Sequence, residues 1–90
     1  MIPAYRKPNH PGEILLHEFL EPLEMTQAEL AKKMDVPIQR VNTIINEKRG
    51  VTAQTAILLG EIFKTTAEFW MNLQTVYDLY EARITLKHAA

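Results

Sequence analysis

Ninety residues, 47% of them hydrophobic, suffice for one compact domain with a small core and leave nothing for a second. The chain has no cysteine, which excludes disulfide staples and thiolate chemistry and fits a reducing compartment, and no apolar run approaches the length that spans a bilayer. Net charge is only −1, but residues 26–50 carry five bases against three acids, a local +2, and the remainder carries −3, so one face is suited to phosphates and the other repels them.

Met1-Ile2-Pro3-Ala4 runs straight into charged residues without a leader pattern, and a soluble cytoplasmic protein is expected. Pro3 and Pro8 with no periodicity make residues 1–9 a flexible arm, in which Tyr5, Arg6 and Lys7 are available to a phosphate or a protein. Residues 10–90 then form a single domain. His10-Pro11-Gly12-Glu13 opens a first helix: Pro11 suits the first turn, and Glu13 places negative charge near the positive end of the helix dipole. Ile14, Leu15, Phe19 and Leu20 make its inward stripe, with Glu18 and Glu21 outside. Pro22 is expected to end or kink this helix at Glu21, and Leu23 to plug the core.

Residues 26–46 are the most informative stretch. Thr26 with Glu29 three positions on is a capping box, in which each side chain accepts a bond from the other's backbone N–H. Leu30, Ala31 and Met34 share the inward face of the helix that follows. Pro37 forbids continuation and suits the first position of a next helix. There Val41, Ile44 and Ile45 point inward and Gln39, Arg40, Asn42 and Thr43 outward. Ala31 is short enough for two helices to cross closely. Cap, small residue, tight turn and polar outer face together read as a helix-turn-helix.

The arrangement resembles the phage-repressor class, where Gln27, Ala31, Val41 and Ile44 stand at matching positions. Asp35 replaces the turn glycine usual in that class, and Asp tolerates the left-handed conformation better than most residues. The expected roles are base reading by Gln39, Arg40, Asn42 and Thr43, with Pro37 and Ile38 presenting the helix N-terminus to the groove. Arg suits guanine, and Gln or Asn suits adenine. Gln27, Lys48 and Arg49 are expected on phosphates.

Glu47-Lys48-Arg49-Gly50 reads as a charged turn with Gly50 free to take a positive φ. Val51 tucks under the domain, and Thr52 caps a fourth helix, residues 53–63, whose Ala56, Leu59, Ile62 and Phe63 face the core. Thr65 and Glu68 repeat the capping pattern. A fifth helix follows through Phe69, Trp70, Leu73, Tyr77 and Tyr80 toward Leu86. Phe69 and Trp70 are expected to complete the core. Tyr77, Tyr80 and Ile84 lie beyond it, as the interface of a homodimer that would place two reading helices one DNA turn apart.

Catalysis is not expected, and neither is a metal or cofactor. His10, His17 and His88 do not pair on one helical face, and His17-Glu18 begins a zinc-protease helix motif whose second histidine position holds Glu21. No glycine-rich phosphate loop occurs.

Further blocks are more specific: His10-Pro11-Gly12-Glu13, Leu20-Glu21-Pro22-Leu23, Asn46-Glu47-Lys48-Arg49-Gly50-Val51-Thr52, and Thr66-Ala67-Glu68-Phe69-Trp70-Met71-Asn72-Leu73-Gln74 through Tyr77-Asp78-Leu79. Over residues 10–80 the chain resembles the HigA family of antitoxins, relatives of the VapI-type proteins. The resemblance implies an all-α, five-helix, phage-repressor-like helix-turn-helix domain that dimerises and represses its own operon through double-stranded operator DNA. It also implies a partner, a small HigB-like toxin that cleaves mRNA on the ribosome, and the first helix with the Tyr5-Arg6-Lys7 arm is the expected contact. Family members often carry Gly in place of Glu47. The alternative is a free-standing phage-type repressor with no toxin.

Overall fold

Five helices and their capped turns account for residues 7–89, the part of the chain that the computed structural model describes. The first, α1, spans residues 11–23 without interruption but changes register twice. It is α-helical over Pro11–Ile14, π-helical over Leu15–Leu20, and α-helical again over Glu21–Leu23. Of the two outcomes expected at Pro22, an end or a kink at Glu21, the end does not occur: the helix continues through Pro22 to Leu23. The Glu21 N–H donates to the Leu16 carbonyl, five residues back, and the widened turn makes room for a pyrrolidine ring that would otherwise clash with the preceding turn. Leu23 is a second correction: it is 58% exposed, and half-buried Met25 packs on the core instead.

Helix α2 (Gln27–Met34) starts with the expected capping box. The Thr26 N–H donates to Glu29 at 2.8 Å and the Glu29 N–H to the Thr26 hydroxyl at 3.0 Å. It ends at Asp35, which adopts the left-handed conformation (φ 57°) expected of it. Helix α3 (Ile38–Ile45) follows, with Pro37 one position earlier than expected: it is the extended N-cap, and Ile38 is the first helical residue. Helix α4 (Ala53–Phe63) is capped by Thr52 through the Thr55 N–H. The cap of α5 (Ala67–Ala89) is Thr66, which accepts from the Phe69 N–H at 3.0 Å. The expected cap, Thr65, accepts instead from the Trp70 indole N–H at 2.8 Å.

The core gathers Leu15 and Leu20 of α1, Leu30, Ala31 and Met34 of α2, Val41 and Ile44 of α3, Val51, Ala56 and Leu59, around fully buried Trp70. Phe19 stacks beside Phe63 and Trp70 with ring centres 5.0 and 5.1 Å away. Phe69, expected inside, stays 38% exposed and meets Trp70 and Phe19 edge-on. Ile62 and Phe63 reach the core half-buried. Helix α5 runs on past this cluster, and among residues 81–88 every side chain is exposed except half-buried Ile84.

One close approach fixes where α3 sits. Gly12 lies against the last turn of α3, so close that a Cβ there would overlap the Ile44 carbonyl. The turn before it is closed by buried His10, whose Nδ1 accepts from the Gly12 N–H at 2.9 Å.

Candidate nucleic-acid interface

Helix α3 buries Val41 and Ile44 and thereby turns its opposite face outward. Pro37 makes no side-chain capping bond; the Arg40 N–H closes the first turn on the Pro37 carbonyl at 2.9 Å, and this end of α3 carries the positive end of the helix dipole. Pro37, Gln39, Arg40 and Thr43 line one open cleft together with Arg49, which enters it from the loop after the helix. Five of the nine residues assigned to DNA from sequence thus converge on a single surface.

The remaining four do not line this cleft and differ in character. Ile38 is 40% exposed at the first position of α3, an apolar group suited to a thymine methyl. Asn42 is half-buried, Lys48 is exposed, and Gln27 is half-buried as the first residue of α2. The Thr43 hydroxyl proton is engaged within the helix: it donates to the Gln39 carbonyl at 2.8 Å and the Arg40 carbonyl at 3.2 Å. What it offers a base is therefore a methyl group and an oxygen acceptor. Lys32 and Lys33, exposed in the last turn of α2, add positive charge that only the charge count anticipated.

The loop of residues 46–52 sets the position of Arg49. Glu47 takes the left-handed conformation (φ 61°). The N–H groups of Lys48 and Arg49 then both donate to the Thr43 carbonyl, at 2.9 and 3.2 Å. Gly50 does not adopt a positive φ, contrary to expectation. Its role is space: a Cβ there would stand 2.8 Å from the Gln74 carboxamide. Gln74, on α5, is buried and accepts from the Val51 N–H at 2.7 Å while donating to Asp78 at 2.9 Å. Sequence reasoning missed this contact. The available signal was a polar residue on the inward stripe that carries Trp70 and Tyr77.

The electrostatics are mild. Burial lowers the pKa of His10 against the opposing pull of Glu47, Asp78 and Glu13. Hydrogen bonds from the Thr26 backbone and hydroxyl lower that of Glu29. Among the described residues no cluster of His, Asp and Glu is built to hold a metal, and no helix is long and apolar enough to cross a membrane.

This geometry has well-matched relatives. A helix-turn-helix family profile matches residues 16–70. Antitoxin HigA-1 of Vibrio cholerae is 43% identical over 87% of this chain and 73% of its own length. The Pseudomonas aeruginosa antitoxin HigA, solved with the higBA promoter, superposes with a TM-score of 0.89 at 44% identity, covering 92% of this chain and 90% of that one. The chain belongs to the HigA family. A further relative, the uncharacterized HTH-type transcriptional regulator YbaQ of Escherichia coli strain K12, is 43% identical over 93% of this chain and 74% of its own length.

Of the contacts expected from sequence for partners, Tyr77 is already engaged within the chain: its ring meets His10 edge-on, 4.8 Å between centres. Tyr80 and Ile84 are half-buried. The more exposed apolar residues of α5 are Val76, Leu79 and Leu86, at 53%, 46% and 69%. The Tyr5 and Arg6 of the expected toxin contact lie outside the described residues. Pro8 and Asn9, the described end of the arm, lie beside α5 in a cleft with Ile14, Phe69 and Val76.

Proposed function

We propose that this chain is the antitoxin of a type II toxin–antitoxin pair, a DNA-binding repressor of its own operon that also binds and neutralises a small mRNA-cleaving, HigB-like toxin. The observation that carries the reading is the cleft formed by Pro37, Gln39, Arg40, Thr43 and Arg49 on a chain 44% identical to an antitoxin solved with its promoter. Arg40 and Gln39 supply donors and acceptors for base edges, Asn42 and Thr43 extend the reading surface, and Pro37 and Ile38 seat the helix end in the groove. Gln27, Lys48 and Arg49 hold phosphates. The function is binding, with no catalytic step, and it is exercised in the cytoplasm, where operator and toxin are found.

A single α3 reads only a few base pairs, so two copies are needed for useful specificity. Helix α5 is the pairing element, through Tyr80 and Ile84 together with exposed Val76 and Leu79.

Co-purification with the product of the neighbouring gene, followed by operator binding with and without it, tests the proposal. A retained small ribonuclease and preference for one inverted repeat are expected. Operator preference with no retained partner would make the chain a free-standing repressor, and equal binding to any DNA would refute the reading altogether.

A further inference from the structure

The contact between Gln74 and the loop after the reading helix has a consequence beyond packing. Gln74 is 8% exposed, one of three buried polar side chains among the described residues. Its Oε1 accepts from the Val51 N–H at 2.7 Å, and its Nε2 donates to Asp78 Oδ1 at 2.9 Å. Asp78 therefore fixes which way the carboxamide faces, and the carboxamide fixes where Val51 sits. Gly50 lies flat against the same amide, with no room for a Cβ.

The loop needs such a tether. Glu47 is held left-handed without being glycine, a state that persists only where the surroundings impose it. One end of the loop is imposed by α3, through the Lys48 and Arg49 N–H groups on the Thr43 carbonyl. The other end is imposed by α5, through Gln74. Lys48 and Arg49, both exposed, are held at the first anchor and lead through Gly50 directly into the second, with Arg49 lining the cleft of α3.

We propose that Gln74, oriented by Asp78, is a positioning residue for DNA binding: it sets the loop of residues 46–52 so that Lys48 and Arg49 meet the DNA backbone, and so ties α5 to the reading surface. This rests on the phosphate role given to those two residues above. It makes the long helix part of the DNA-binding machinery without any contact to DNA, since the same side chain that docks α5 onto the domain places the two cations.

The test uses the full chain and its operator, with affinities measured between 50 and 200 mM salt and folding followed by thermal denaturation. Lys48→Ala with Arg49→Ala should reduce the fold-loss of affinity over that range by about tenfold per protomer, the amount expected for two phosphate contacts. Gln74→Met should reproduce that flattening, and should add nothing when placed on the double alanine variant. Gln74→Glu keeps the acceptor for Val51 but sets a carboxylate beside Asp78, and should be impaired. Gln74→Glu with Asp78→Asn restores a donor–acceptor pair in reverse at unchanged net charge, and should recover wild-type salt dependence. This pair carries the test if Gln74→Met does not fold. Wild-type salt dependence in folded Gln74→Met, or losses that add to those of the double alanine variant, overturn the proposal. Failure of the reversed pair to recover overturns it as well. An unaltered salt dependence in the double alanine variant instead refutes the phosphate role itself, and the proposal with it.

Discussion

Gly12 at the start of α1 touches the Ile44 carbonyl at the end of α3, leaving no space for a methyl group between them. Helix α3 is thus seated backbone to backbone on the first helix, with His10 closing the turn that brings Gly12 there. Gly12→Ala must push α1 away from α3. Over-packing ordinarily costs about 1–3 kcal/mol, and here the obstacle is backbone, which cannot rotate aside. We expect a loss at the top of that range in urea denaturation; a change below about 0.5 kcal/mol, the usual limit for a neutral surface site, would mean that the helices separate freely.

Among the described residues, four turns pass through the left-handed conformation, at Glu24, Asp35, Glu47 and Lys64, and none is glycine. At Lys64 (φ 60°), the C-cap of α4, the side chain is exposed and distant in sequence from the reading surface. Glycine relieves the strain of this conformation. Lys64→Gly should therefore stabilise the fold by about 1 kcal/mol, in the range of other cap improvements, with operator affinity unaltered. A lowered denaturation midpoint would contradict this.

Arg40 lines the cleft and is only half-buried, so its removal should spare the core. A bidentate Arg–guanine pair contributes about 1–3 kcal/mol of discrimination. Arg40→Ala should relax preference at one or two base pairs by roughly that amount, with melting unchanged. Binding panels of single-substitution operators measure it. Identical profiles for variant and wild type would remove Arg40 from the reading set.

Helix α5 separates an inner side, where Tyr77 meets His10, from an outer one bearing Val76 and Leu79. Val76→Asp with Leu79→Asp should give a folded monomer in sedimentation, with operator affinity falling toward the non-specific level, roughly 10³-fold or more below specific binding. Tyr77→Asp should instead destabilise the fold itself. A dimer that survives the first pair of substitutions would place the interface elsewhere.

Stability should weaken on mild acidification because of His10. Burial lowers its folded pKa below the ordinary 6.5, so between the two values the unfolded chain holds the extra proton. Its contribution is complete above about pH 6.5 and declines as pH falls below it. Protonation also removes the Nδ1 lone pair that accepts from Gly12. His17 acts in the opposite sense, since its hydrogen bond and charge pairing with Glu21 raise its pKa, but it is exposed and solvent screens the effect. His10→Asn, which keeps a capping oxygen, should flatten the decline between pH 7 and 5 in thermal melts. A slope as steep as that of the wild type would assign the loss to other groups.

The local features were legible in the sequence because each depends on residues a few positions apart. The Thr26–Glu29 box, the left-handed Asp35, the buried Val41 and Ile44 and the outward Arg40 follow from capping chemistry and a 3.6-residue period. The family blocks extended this to the whole five-helix fold. The tertiary structure decided what depends on neighbours distant in sequence. Pro22 stays within α1 because a π-helical turn makes room for its ring, which no hydrophobic pattern signals. Leu23 is exposed because Met25 takes the space on the core. Tyr77 turns inward because His10 offers its ring a partner 67 positions earlier in the chain. The loop bearing Lys48 and Arg49 holds its course because Gln74, 23 positions beyond Val51, supplies the acceptor its N–H requires. A periodic pattern shows which way a side chain faces, and only the assembled helices determine what it meets there.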